Sequence, residues 1–259
     1  MHWESQDGQD AGQGAPTIVL SQSQLLYALG GLCIALPVTM IGMTAFLSVC
    51  RMSSLSHYYY VPIAGNLLVG WLVVLAGLLC LLRPASTSRL LAYRLAALML
   101  VLMAVFPISG DGCARSEYTG LAFYHYDYAH PKIIGVTHHL SFVVGGLHLS
   151  NHEIHIGAGM VLACLLMALC FDWRPVQFVR TARKYGYGSA APTFWTVRNL
   201  CCLGVALGAA GASVAYLIDS GWVDGYKGGI PPELAYQSCI LLFFGAAMLG
   251  EARRYKAGA

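Results

Sequence analysis

Residues 62–82 read PIAGNLLVGWLVVLAGLLCLL. No charged side chain interrupts them. A helix needs about 20 consecutive apolar residues to cross the hydrocarbon of a bilayer, and this run meets that length. Five more runs have the same character, at roughly 26–50, 90–108, 154–172, 198–218 and 234–250. Together they predict an all-α polytopic membrane bundle of six transmembrane helices. The chain as a whole agrees: 57% of its residues are hydrophobic and 10% are charged, against about 25% charged in soluble domains. The mean hydropathy is +0.61. No long polar linker divides the sequence, so one membrane domain at 24–252 is expected. A polar, acidic tail at 1–23 precedes it and a short tail at 253–259 follows. The tail MHWESQDGQDAGQGAP lacks the basic start of a signal peptide, so the first apolar helix is expected to stay as an anchor.

The positions of Lys and Arg set an expected orientation. With six spans, both termini and the loops at 83–89 and 173–197 share one side. That side carries Arg83, Arg89, Arg94, Arg174, Arg180, Arg183, Lys184, Arg198, Arg253, Arg254 and Lys256. The other carries only Arg51, Arg115, Lys132 and Lys227. The positive-inside rule then places both termini in the cytoplasm. The formal net charge of +3 is too small to argue for nucleic acid as a partner. The bilayer itself is the expected one.

This orientation puts His57, His125, His130, His138, His139, His148, His152 and His155 on the extracytoplasmic face, among many tyrosines. The long segment 109–153 is too aromatic for disorder, so a folded cap over the outer end is expected. Within it, the stretch 133–149 is partly apolar but carries three histidines and three glycines. It reads as a re-entrant or interfacial piece more readily than as a seventh span. Tyr58, Tyr59 and Tyr60 fit an aromatic belt at the headgroups.

Residues 148–155, HLSNHEIH, hold the sharpest signal. His148, His152 and His155 are spaced i, i+4, i+7, which on a helix forms one stripe. Neighbours on such a stripe can share a metal, and neutral imidazole suits Zn or Cu; a haem is also compatible. The two outer histidines are too far apart for one ion, so a further ligand is needed from His57, His138, His139, Asp111 or Asp127. HEIH is not the HExxH of metalloproteases. Two other readings stay open: structural histidines bonded to loop carbonyls and tyrosines, and proton transfer, which suits the imidazole pKa. Asp111 follows Pro107 and Gly110 at the end of the third run, either as a solvated acid or as a ligand or base.

Ser53 and His57, an aspartate at the end of a later helix (Asp111), and His148-x-x-x-His152 resemble the scattered zinc pattern of the alkaline ceramidase and adiponectin-receptor membrane hydrolases. That resemblance implies a zinc-activated water, with His57, His148 and His152 as ligands and Asp111 and Ser53 supporting catalysis. In that superfamily there are seven spans and the paired histidines lie in the last; here they open the fourth. A second resemblance rests on Ser54-Leu55-Ser56-His57-Tyr58-Tyr59, Gly65 and Gly70, Phe106-Pro107, and a histidine opening the fourth helix. It is to a large family of six-helix bacterial membrane proteins with no assigned activity. It implies the fold alone.

Three further features are open. Cys50 and Cys113 are both expected outside, where a disulfide is chemically permitted. The other cysteines form no CxxC pair, and most lie inside apolar runs as small hydrophobes. Gly204-Val-Ala-Leu-Gly208, followed by Ala209, Ala210, Gly211 and Ala212, is a close-packing signal. It serves either a homo-oligomer or membrane-protein complex, or packing within the chain. The leading functional expectation is a binding or accessory membrane protein holding a metal, a haem or a partner at its His- and Tyr-rich end. The rivals are a metal-dependent hydrolase or oxidoreductase and a proton or small-solute transporter. Against the transporter, ionisable residues are nearly absent from the middle of the runs. Arg94 and Arg198 lie near ends, where long side chains snorkel.

Overall fold

The computed structural model describes residues 20–46, 54–61, 63–106, 124–126, 133–135, 142–144, 147–149, 151–171, 196–218 and 231–256. Six helices dominate: α1 Gln22–Phe46, α2 Ala64–Leu81, α3 Thr87–Val105, α4 Asn151–Cys170, α5 Val197–Ile218 and α6 Pro232–Lys256. Each contains a stretch long and apolar enough to cross a membrane. A short 3₁₀ helix, Ser56–Tyr60, lies between α1 and α2. α1 continues through Pro37, whose missing N–H removes one rung of the backbone ladder.

Each helix packs against its neighbours in the chain, and α6 closes the ring on α1 while also touching α4. Leu29, Leu36 and Met40 of α1, Leu75 of α2, Leu169 of α4 and Phe244 and Met248 of α6 fill the interior. Large apolar side chains also remain on the outside: Val73 and Val74, then Leu91, Leu98 and Val101, then Leu203, Leu207 and Val214. Lipid solvates such faces without cost, and the backbone polar groups behind them are satisfied within each helix.

Hydrogen bonds between helix ends fix the up-and-down order. The Arg83 N–H donates to Gln22 Oε1 at 3.2 Å, joining the end of α2 to the start of α1. Arg89 opens α3, Arg198 opens α5, and both meet Glu251 near the end of α6. Arg198 also reaches the last carbonyls of α4. So the first and last described residues lie at one end of the bundle, here the arginine end. The 3₁₀ helix, Phe106, the start of α4, Tyr216 and the start of α6 gather at the other.

Helices α1 and α6 cross at a pair of glycines. A Cβ on Gly30 would stand 2.8 Å from the backbone oxygen of Gly245, and one on Gly245 would stand 2.8 Å from that of Gly30. The GxxxG face of α5 is used inside the chain. Gly204 lies against the Phe243 ring, Gly208 against Ile240 and the Tyr236 carbonyl, and Gly211 against the Tyr236 ring. That face is filled by α6.

Between α3 and α4 the described residues form two small antiparallel ladders. β1 (Tyr124–Tyr126) pairs with β2 (Ile133–Gly135), and β3 (Phe142–Val144) with β4 (Leu147–Leu149). The described part of 133–149 is therefore extended rather than a helical span. Gly145-Gly146, between β3 and β4, is a dipeptide type that two-residue hairpin loops favour. Two of the tyrosines expected in an aromatic belt behave differently. Tyr58 and Tyr59 are almost wholly buried, because the 3₁₀ turn lies across the bundle end and points them inward. The Tyr59 hydroxyl donates to the Ala104 carbonyl at 3.3 Å.

Candidate functional site

The histidine end is built by five elements. His155 sits one turn into α4 and is 4% exposed. Its Nδ1 is 2.7 Å from the Phe106 carbonyl oxygen, just beyond α3, and its Nε2 is 2.8 Å from Ser56 Oγ of the 3₁₀ helix. A carbonyl oxygen only accepts, so Nδ1 carries the proton. In the neutral ring, Nε2 then accepts the Ser56 hydroxyl. His152, nearly a turn earlier, pairs through Nε2 with the Tyr216 hydroxyl of α5 at 2.8 Å. The two rings are tilted, with centroids 6.2 Å apart.

The segment before the 3₁₀ helix is pinned locally and from afar. The His57 N–H donates to Ser54 Oγ at 3.3 Å, and the same hydroxyl lies 2.7 Å from His57 Nδ1. The hydroxyl accepts the backbone N–H and pairs with the ring nitrogen, a local side-chain bond of the kind Ser makes in tight turns. The Leu55 N–H donates to Gln237 Oε1 at 2.8 Å, and Gln237 Nε2 donates to Glu233 Oε1 at 2.8 Å, one turn back on α6. Ser54 and Glu233 are buried, whereas His57 and His152 keep part of their surface open. His57 directly follows Ser56, which bonds His155, and His152 precedes His155 on α4, so the three histidines lie at one end of the bundle.

The structure thus brings together three of the expected site residues, His57, His152 and His155. His148 does not share α4 with His152 and His155. His148 lies in β4, paired with Val143, and α4 begins only at Asn151. The three-histidine helical stripe is therefore cut to two. The physical reason is local: the β-branched and Gly-Gly sequence at 143–146 favours a hairpin, and Ser150-Asn151 are residue types that start helices. Ser53, Asp111, Asp127, His138, His139, Cys50 and Cys113 lie outside the described residues. Among the described residues, no three of His, Cys, Asp and Glu converge as a metal site.

Tyr216, Gln237 and Glu233 belong to this end and were not singled out as site residues, while Ser54 and Ser56 entered only as part of the six-helix resemblance. The signal was present for Glu233 and Gln237. Polar groups at the start of an apolar helix need partners once the end is buried.

The two histidines of α4 differ in what their removal should do. His155→Ala removes the histidine bond from the Phe106 carbonyl and the Ser56 hydroxyl at a part-buried place and should cost about 1–3 kcal/mol. His152→Phe should stay within about 0.5 kcal/mol of wild type, since Tyr216 is half-exposed and can turn to solvent. Unfolding curves in mixed micelles check both. Equal losses would contradict this division.

No family model, curated protein or solved structure matches this chain.

Proposed function

We propose that this chain is an integral membrane binding or accessory protein, with its arginine end in the cytoplasm and its histidine end carrying the site. The single observation behind this is the polar lattice at that end. Ser54, Ser56, His57, His152, His155 and Tyr216 gather where α3, α4, α5 and the 3₁₀ helix meet. The cytoplasmic assignment rests on the excess of Lys and Arg at the arginine end. In this reading the buried bonds of His155 hold the frame. His57 and His152, partly open, border the surface that a partner, a transition metal or a haem would meet.

Elemental analysis and the visible spectrum of protein purified from membranes, with native mass spectrometry in detergent, test it. The expected result is a larger complex that His57→Ala and His152→Ala weaken, or a bound metal or haem that the same variants lose. A monomeric, metal-free and haem-free wild type with an intact fold would sink the reading.

A serine hydrolase, in place of the metal-dependent one the sequence suggested, is the second reading, and one observation favours it. Ser56, His155 and the Phe106 carbonyl stand in the order nucleophile, base and orienting group, the arrangement that activates a serine for acyl transfer. Covalent labelling of the full-length protein with a fluorophosphonate, read as adduct mass on Ser56, tests it. An unlabelled Ser56 under conditions that label a control serine hydrolase would remove this reading.

A further inference from the structure

Helix α3 packs against α2 and α4. Tyr93, Ala96, Ala97, Leu100 and Ala104 form its buried face. Leu91, Leu95, Leu98 and Val101 stand on its outward side, aliphatic and exposed. Arg94 stands among them. It is the eighth residue of α3, it lies inside the candidate span, and it is exposed. Among the described residues no carboxylate pairs with it. Arg198 behaves in the opposite way, since it is buried and bound to Glu251 at 2.8 Å. Charged side chains at membrane depth are costly, and they almost always face a bundle interior and pair there. Within this chain Arg94 does neither.

From this geometry we infer that the outward face of α3 docks a spanning helix of another membrane protein, and that this helix carries a carboxylate at the depth of Arg94. The inference rests on the accessory reading above and gives the partner its chemistry. Depth separates a carboxylate from the lipid. Arg89 and Glu251 meet in the charged layer at the helix ends. Arg94 lies five residues further along α3, about 7.5 Å deeper at helical rise. A lipid phosphate stays at the headgroups, so the side chain would have to stretch along the helix to reach it. A carboxylate on a neighbouring helix meets the guanidinium at its own depth, with two oxygens for the planar fork of donors. A second copy of this chain does not offer that group among its described acids. Glu153 and Glu233 open α4 and α6 at the histidine end, and Glu251 is held by Arg198.

Fluorescence energy transfer between the full-length protein and a leucine-rich spanning peptide, in phosphatidylcholine vesicles, tests the inference. The peptide carries one glutamate at the matching depth, and the control peptide has leucine there. The glutamate peptide is expected to associate about tenfold more tightly, the scale of a polar bond between helices in lipid. Arg94→Leu should lose that preference and keep its fold, because the side chain faces outward. Arg94→Glu should restore it toward a peptide with arginine in place of the glutamate. Equal association of the two peptides with the wild type would leave Arg94 to the lipid phosphates and overturn the proposal, as would an unchanged preference in Arg94→Leu. Failure of the accessory reading shows separately. A wild type that is monomeric when purified from membranes, yet still prefers the glutamate peptide, would count against that reading and support this face.

Discussion

Arg198→Ala is expected to cost about 3–5 kcal/mol of bundle stability, the usual cost of removing one partner of a buried ion pair. Arg198 is 3% exposed. Its Nε donates to the Cys170 carbonyl at 3.1 Å, one terminal nitrogen to the Leu169 carbonyl at 2.5 Å, and the other to Glu251 Oε2 at 2.8 Å. One side chain therefore caps the end of α4 and ties it to α6. Alanine would leave two helix-terminal carbonyls without this donor, and Glu251 with only its longer arginine contacts. The double variant Arg198→Met with Glu251→Met should lose less than the two single losses added together, because neither charge is then stranded. Equilibrium unfolding in mixed micelles measures all of these. An Arg198→Ala loss under about 1 kcal/mol would show that the pair is not a structural centre.

The second large effect is a contrast between adjacent glycines. Gly30→Ala is expected to destabilise by about 1–3 kcal/mol, the range for forcing volume into a packed contact. Its new methyl would stand 2.8 Å from a backbone oxygen of α6 and 2.9 Å from a Leu249 carbon. Backbone on one side cannot rotate away as a side chain can, so α1 and α6 must separate. Gly31, one residue on, has nothing within 4 Å of its would-be Cβ. Gly31→Ala should stay within about 1 kcal/mol of wild type, and the better helix propensity of alanine pushes it toward stability. Gly245→Ala should repeat the Gly30 loss from the other side. A Gly31 variant as damaged as the Gly30 variant would mean that the crossing is not where these contacts put it.

Several sequence expectations met a different fate in the fold. Arg198 was expected to snorkel from a helix end to water; it turns inward instead, because Glu251 lies across the interface to receive it. Glu251 itself carried a readable signal. An acid directly after the apolar run 234–250 is expensive near lipid, so it called for a cationic partner. Which partner could not be read, since Arg198 is 53 residues away in the chain. Tyr58 and Tyr59 matched a belt by composition yet face the core. Composition reports how amphipathic a ring is, and the path of the backbone decides which way it points.

For the histidines, spacing was legible and pairing was not. His152 and His155 do share α4, and they take bonds to a tyrosine and to a carbonyl, the pairing that the structural reading of the stripe allowed. His148 drops off the helical stripe because the helix starts after it. A period of 3.6 in the sequence says what a helix would align, and the start of the helix decides which residues it includes.

The sequence by itself determined the six spans, their order and the presence of a charge-rich and a histidine-rich set of ends. These follow from transfer of each segment out of water, a nearly additive property of local composition. Tertiary structure alone decided that the ring closes α6 on α1, that the GxxxG face is filled within the chain, that Arg198 meets Glu251, and that His155 is held between Ser56 and Phe106. Those choices depend on which helix faces touch. Such contacts join residues far apart in the chain by shape and hydrogen-bond geometry, and no local pattern encodes them.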